Sequence, residues 1–212
     1  MSTDGYSIDT LRRRLSEHRF RAITDDERNI RHAVLVPFYL TNDTLHVVLT
    51  KRTENLRSQR GHVSFPGGGR EPQDSDLLAT ALRENHEEIG LEPDHVDVFG
   101  RFDDFSTRDG EVLIAGYAGL IDPARSPYAW RPSAFEVAVI LEVPISHLVD
   151  AANWTVKAPR ELNGRMWPNE DLHFLGHRVF GATTRALRHV LEVGFGVAAP
   201  TPNHSGAQHK GT

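Results

Sequence analysis

Residues 67–91 read GGGREPQDSDLLATALRENHEEIGL, and the reading of this stretch decides the fold. Gly67, Gly68 and Gly69, after Pro66, predict a tight backbone excursion, because a chain without β-carbons turns where other residues clash. A helix follows: Asp74 or Ser75 can cap its start, Leu78, Leu82 and Ile89 form one apolar stripe, and Gly90 supplies the stop. On that helix Glu84, Glu87 and Glu88 fall within a sector of roughly 100° and about 6 Å of rise. Like charges so placed repel by up to about 1 kcal/mol per close pair in water, a local cost unless a cation offsets it. Ligation by carboxylates alone suits Mg²⁺ or Mn²⁺, and Mg²⁺ takes its further ligands from water and substrate phosphates. A solvated acidic helix face is the plainer reading of the same three glutamates taken by themselves.

Upstream, RHAVLVPFYL (31–40) and LHVVLT (45–50) flank the turn-like Thr41-Asn42-Asp43 and read as a hairpin of two strands, with Pro37 arguing for an edge or a bulge. The segment from Gly61 to Gly69 reads as loop with one short strand. Downstream, Val96 to Phe102, Val112 to Ile121 and residues 135–143 read as strands, with a polar turn from Ser106 to Gly110. Pro144 to Val149 reads as a short helix or turn. Arg178 to Val193 carries Val179, Ala182, Leu187, Val190 and Leu191 as a terminal amphipathic helix. At the other end, Ile8, Leu11, Leu15 and Phe20 place a helix over residues 6–23. The chain thus divides into an N-terminal helical extension (1–29), a main domain (30–195) and a tail (196–212) whose composition predicts disorder.

Composition narrows the classes of function. A chain of 212 residues with 39% hydrophobic residues can bury one real core. A net charge of −5 gives no basic excess, so nucleic acid is not expected as a partner. The absence of cysteine excludes disulfides, thiolate metal sites and cysteine nucleophiles. Met1 to Asp26 is polar, and no apolar run approaches the length of a membrane span. A soluble cytoplasmic protein without a membrane partner is expected, with a homodimer left open.

The run Arg83-Glu84-Asn85-His86-Glu87-Glu88-Ile89-Gly90-Leu91 resembles the second half of the Nudix hydrolase signature, which is Gly, five residues, Glu, seven residues, Arg-Glu-apolar-any-Glu-Glu-any-Gly-apolar. It matches at every charged and glycine position. Asn85 stands where the family prefers an apolar or small residue, which sets an amide on the inner face in need of a partner. Counted from Gly69, the early Glu falls on Ser75; counted from Gly68, an acid falls at Asp74, with one residue too many before Arg83. Leu49-Thr50-Lys51-Arg52-Thr53, then Arg57, Gly61 and Phe65-Pro66-Gly67-Gly68, is similar to the motif that precedes this box in coenzyme A pyrophosphatases. Thr53 stands there in place of Ser or Ala. Glu136-Val137, Val143-Pro144-Ile145 and Phe180-Gly181-Ala182-Thr183 resemble the same subfamily, so the likeness runs from about residue 30 to about residue 190.

The resemblance implies an α+β fold, an α/β/α sandwich whose central mixed sheet lies between the box helix and the terminal helix. It also implies a Mg²⁺- or Mn²⁺-dependent pyrophosphohydrolase that splits coenzyme A, or a derivative, into 4′-phosphopantetheine and adenosine 3′,5′-bisphosphate. By carry-over, Glu84 and Glu88 are the principal metal ligands and Glu87 is a third ligand or the general base. Glu136 is a second candidate base, and Arg83 orients a glutamate. The backbone at Gly67, Gly68 and Gly69 can approach a metal or phosphate closely. Lys51, Arg52, Arg57 and Arg60 can supply cations to the substrate phosphates, or stand merely solvated beside a turn. His62 and His86 lie near the site in surface or supporting roles. The rival readings are a Nudix hydrolase of another nucleoside diphosphate derivative and a Nudix-fold sensor that binds a nucleotide without cleaving it.

Overall fold

The structure, a computed structural model, describes residues 6–24, 29–56, 58–107, 110, 112–162 and 164–198. The expected hairpin is present as β1 (His32–Thr41) and β2 (Thr44–Arg52), antiparallel with Leu40 opposite Leu45. Its two-residue turn places Asn42 and Asp43 at φ 47° and 57°, the left-handed pair that matches the twist of the strands it joins.

β1 is a central strand, which corrects the expectation drawn from Pro37. β7 (Leu113–Ile121) runs parallel to it over residues 32–38, and β4 (Gly67–Gly69) pairs antiparallel with His32–Val34 on the other side. Leu35 sends its N–H to the Pro66 carbonyl (3.3 Å), and Pro37, two residues on, has the same orientation. Its missing N–H therefore falls in the gap between the β4 pairing, which ends at Val34, and the β2 pairing, which begins at Phe38. No ladder bond is lost. The glycine run is likewise a short strand instead of a free excursion.

β3 (Val63–Ser64), β5 (Val96–Arg101), β6 (Phe105–Ser106) and β8 (Val137–Pro144) complete the main sheet, in the order β3-β2-β1-β7-β5, with β4 on β1, β6 on β7 and β8 on β2. The parallel β1–β7 pair among antiparallel neighbours makes it mixed. Alternation along β1 sends Ala33, Leu35 and Tyr39 to a core under α2 (Leu77–Ile89), and Val34, Val36 and Phe38 to a core under α4 (Ala182–Phe195) and α1 (Ile8–Glu17). The result is an α/β/α sandwich.

Residues 154–180, for which the sequence reading assigned no strand, form a separate antiparallel sheet of β9 (Trp154–Leu162), β10 (Arg165–Phe174) and β11 (His177–Phe180), after the short α3 (Ile145–Val149). The terminal helix starts at Ala182, not Arg178, because Gly181 at φ 73° breaks the chain between β11 and α4. α1 ends at Glu17, since His18 is extended, so Phe20 leaves the stripe and packs instead beneath the Arg101 guanidinium, 4.1 Å from its ring centre. Ser7 caps α1 by accepting from Thr10 N (3.2 Å). Residues 1–5 and 25–28 of the expected extension, and 199–212 of the expected tail, lie outside the described residues.

Leu11 is fully buried, and its Cδ1 lies 2.5 Å from where a β-carbon at Gly194 would stand, so α1 and α4 are in close contact. Leu11→Ala is expected to reduce the free energy of unfolding by about 2–5 kcal/mol in urea denaturation. A loss below about 0.5 kcal/mol, the scale of a surface change, would mean that α1 does not share the core.

Candidate active site

The box helix α2 is capped by Asp76, which accepts from Ala79 N (2.8 Å), and not by Asp74 or Ser75 as expected. It ends at Gly90, φ 69°, whose N–H donates to His86 O while Leu91 N donates to Asn85 O. Its buried face is Leu77, Thr80, Ala81, Asn85, Glu88 and Ile89, whereas Leu78 and Leu82 are half-buried. The stripe therefore lies one position from the one that apolar residues alone indicate, because three of its members, Thr80, Asn85 and Glu88, are polar. Asn85, 1% exposed, donates through Nδ2 to Ala81 O (2.8 Å) and to Pro66 O (3.3 Å), which ties the helix to the residue before β4.

Asp74, released from capping, is buried and accepts from Glu71 N (2.9 Å), Thr80 Oγ1 (3.0 Å) and Arg83 Nε (3.0 Å). The Arg83 hydrogen bond, above all, pulls its carboxyl down to about 2. Of the two ways of counting the early acid, the one from Gly68 is therefore the one that meets Arg83. Arg83 also donates to Gly69 O (2.8 Å) and Glu87 Oε2 (2.8 Å), and its Nη2 lies 3.0 Å from Glu84 Oε1. Its own pKa is raised, chiefly by Asp74.

Glu84 lies against β4. A β-carbon at Gly68 would stand 2.5 Å from its carboxylate, so any side chain there would displace the carboxylate from this position. Burial raises the Glu84 pKa against the opposing Arg83 charge. Glu88 is 3% exposed, and its carboxyl is pushed up to about 8 by burial, opposed by Arg52 and the Gly67 amide and reinforced by Glu84 and Glu136. Arg52 Nη1 lies 3.6 Å from Glu88 Oε1, while Glu88 Oε2 has no hydrogen-bond partner among the described residues.

Glu136 is brought to this cluster by backbone bonds. Ser133 N donates to Glu88 O (2.9 Å), Arg131 N to Ile89 O (3.1 Å) and Thr53 N to Glu136 O (2.9 Å), while Thr53 Oγ1 donates to Phe135 O (2.6 Å). The hydroxyl of Thr53 thus fastens the loop that carries Glu136. Glu87 is more open, with its side chain 55% exposed and held by Arg83. Lys51 pairs with Val63 and Val139 in the sheet and makes no ion pair with the box glutamates among the described residues. Arg57 lies outside the described residues. Arg60 donates to Leu56 O (2.6 Å), His86 faces Glu92, and His62 packs edge-on against Phe180, its pKa lowered by burial and by Arg52.

Glu84 and Glu88 thus present two largely buried carboxylates with raised pKa, one carrying an orphaned oxygen, beside backbone free of side chains. Two such groups cannot both ionise cheaply without a cation, and a donor set of oxygen alone fits Mg²⁺ or Mn²⁺. Asp74 and Thr53 are the residues that motif counting left without a purpose. Their signal lay in spacing for the one and in a departure from the family pattern for the other.

A family model for the NUDIX domain matches residues 30–130. The chain is 35% identical over 117 residues to the peroxisomal coenzyme A diphosphatase NUDT7 of Mus musculus, covering 55% of this chain and 48% of that one. It is 30% identical over 166 residues to an uncharacterized Nudix hydrolase, NudL, of Yersinia pestis (strain Pestoides F), covering 77% of this chain and 79% of that one. A crystal structure of a MutT/nudix family protein from Enterococcus faecalis aligns over 88% of this chain and 68% of its own with a TM-score of 0.50 at 14% identity, a likeness of fold alone. The chain spans 48–65% of the length of three curated relatives it matches, the mouse protein among them.

A Glu88 pKa of about 8 against the ordinary 4.5 means that the folded chain holds a proton there which the unfolded chain has lost. The contribution of Glu88 to stability, read against Glu88→Gln in the presence of a chelator, is therefore expected to fall as pH rises from about 4.5 to about 8. Glu88→Gln is expected to remove that slope while abolishing metal binding at the box. An unchanged slope in urea titrations across the range would show that Glu88 is not the buried acid described.

Proposed function

Because the chain belongs to the Nudix family, we propose that it is a divalent-metal-dependent hydrolase of diphosphates linked to a nucleoside, with coenzyme A or a close derivative as substrate. The observation that carries the reading is the meeting of Glu84, Glu88 and Glu136 beside the Gly67–Gly69 strand, with the buried Glu88 Oε2 left unpartnered among the described residues.

Bound Mg²⁺ or Mn²⁺ supplies neutralisation of the diphosphate oxygens and a water of lowered pKa. Glu84, against Gly68, and Glu88, beside Arg52, would hold the cation. Arg83 keeps Glu84 and Glu87 in place through a fork whose other prong is anchored on Asp74. Glu136, set beside Glu84 and Glu88 by the Thr53–Phe135 bond, takes the proton from water as it attacks phosphorus. Glu87 is the poorer candidate, since its carboxylate is already held by Arg83 on the open side of the helix. Water adds to one phosphorus, the bridging P–O bond breaks, and both halves leave as phosphate monoesters. The named activity of the mouse relative and the likeness of residues 49–68 to the coenzyme A pyrophosphatase motif support coenzyme A, whose products are then 4′-phosphopantetheine and adenosine 3′,5′-bisphosphate. Arg52, 3.6 Å from Glu88, would supply a cation to a substrate phosphate.

The protein and its Glu136→Gln and Glu87→Gln variants are to be incubated with coenzyme A, ADP-ribose and a nucleoside triphosphate, in Mg²⁺ and separately in Mn²⁺. Adenosine 3′,5′-bisphosphate is expected from coenzyme A, with kcat lowered about 10²- to 10⁴-fold by Glu136→Gln and less by Glu87→Gln. Cleavage of ADP-ribose alone would keep the hydrolase and discard coenzyme A. Binding with no turnover in either metal would favour a nucleotide sensor.

A further inference from the structure

On the face of the sheet away from the box helix, three side chains from distant parts of the sequence converge. His18 follows α1, Asp103 lies between β5 and β6, and His189 lies in α4. We propose that they form a second metal site, for a nitrogen-preferring divalent ion of the zinc class, which fastens the N-terminal helix to the main domain.

Their ligand atoms all lie within 4.8 Å of one another. His18 Nε2 is 2.7 Å, and His189 Nε2 3.8 Å, from Asp103 Oδ1. Bonds of about 2.0–2.1 Å in a tetrahedral arrangement separate ligand atoms by about 3.4 Å, so side-chain shifts of about 1 Å would seat an ion among the three. The nitrogen of His189 is prepared for this. Its Nε2 accepts the backbone N–H of Asp103 (3.1 Å), which keeps the proton on the other nitrogen, so an ion would take the Nε2 lone pair in place of that N–H. Burial also lowers the His189 pKa, which favours the neutral ring.

The groups around the cluster set its cost and its specificity. Arg21 donates to Asp103 from its backbone N (2.9 Å) and from Nε (2.8 Å to Oδ2), but its side chain is 83% exposed and can turn into water. Binding exchanges that contact, the His18–Asp103 hydrogen bond and the Asp103 N–H bond to His189 for bonds to the ion. A cavity of about 370 Å³ opens beside the two histidines and is walled by Arg14, Glu17, Arg21 and Glu192, so water or a further carboxylate can complete the coordination. Two imidazoles and one carboxylate favour Zn²⁺, Co²⁺ or Ni²⁺, whereas the box, with oxygen donors only, favours Mg²⁺ or Mn²⁺. The two sites therefore separate by ligand chemistry as well as by face.

The test is a calorimetric titration of the full chain with Zn²⁺ in excess Mg²⁺, repeated with Co²⁺ to read tetrahedral coordination from visible absorption. The wild-type chain is expected to bind Zn²⁺ and to melt at a higher temperature with it. His18→Gln and His189→Gln should each weaken binding about tenfold or more and lose the Zn²⁺-dependent rise in melting temperature, with Mg²⁺-dependent turnover intact. Arg21→Ala, which keeps all three ligands and removes the competing cation, should tighten it. No Zn²⁺ binding in excess Mg²⁺, undiminished binding in both histidine variants, or weaker binding in Arg21→Ala would overturn the proposal.

Discussion

The guanidinium of Arg83 organises the acidic end of this molecule. One planar group reaches the buried Asp74, the carbonyl of Gly69 in β4, and the carboxylates of Glu84 and Glu87. It thereby joins the loop before α2, the glycine strand and two of the three box acids. Lysine could not do this, because a single ammonium has neither the reach nor the fixed fork for partners in several directions. The remaining acid, Glu88, is governed by the same packing: Asn85, one turn before it, holds the helix to Pro66, and the carboxyl of Glu88 is carried below the surface beside Gly67 and Arg52.

This placement has an energetic meaning. A carboxyl at 3% exposure with one oxygen unpartnered among the described residues is poorly stabilised as an anion, and burial pushes its pKa up to about 8. Solvated acids on an open helix face would titrate normally and need no counter-charge. The structure therefore separates two readings that the three glutamates alone left open, since Glu84 and Glu88 lie inside the protein and only Glu87 matches the solvated description.

The hairpin, the box helix and its glycine stop were legible because each rests on local chemistry: a left-handed Asn-Asp turn, helical spacing, and φ > 0 at Gly90. Pro37 was misread because a missing N–H is costly only where a partner strand waits, and which strand waits is a tertiary fact. The stripe of α2 was misplaced by one residue because Asn85 and Glu88 are buried for reasons of hydrogen bonding and charge, which hydropathy does not register. β9 and β10 escaped notice because one of them, β9, buries only Trp154 and otherwise shows exposed or half-exposed residues, leaving little apolar alternation to find. At the site, the cluster of box acids was readable from spacing, whereas the anchoring of Glu136 through Thr53 joins residues 82 apart and required the fold.

The most direct test of this account is a crystal soaked in Mn²⁺, with the ion located by its anomalous scattering. A peak is expected among the Glu84 and Glu88 carboxylates, beside the backbone of Gly67 and Gly68, together with its loss in Glu88→Gln. A peak that survives Glu88→Gln, or Mn²⁺ bound only at Glu87 on the open face of the helix, would contradict the account.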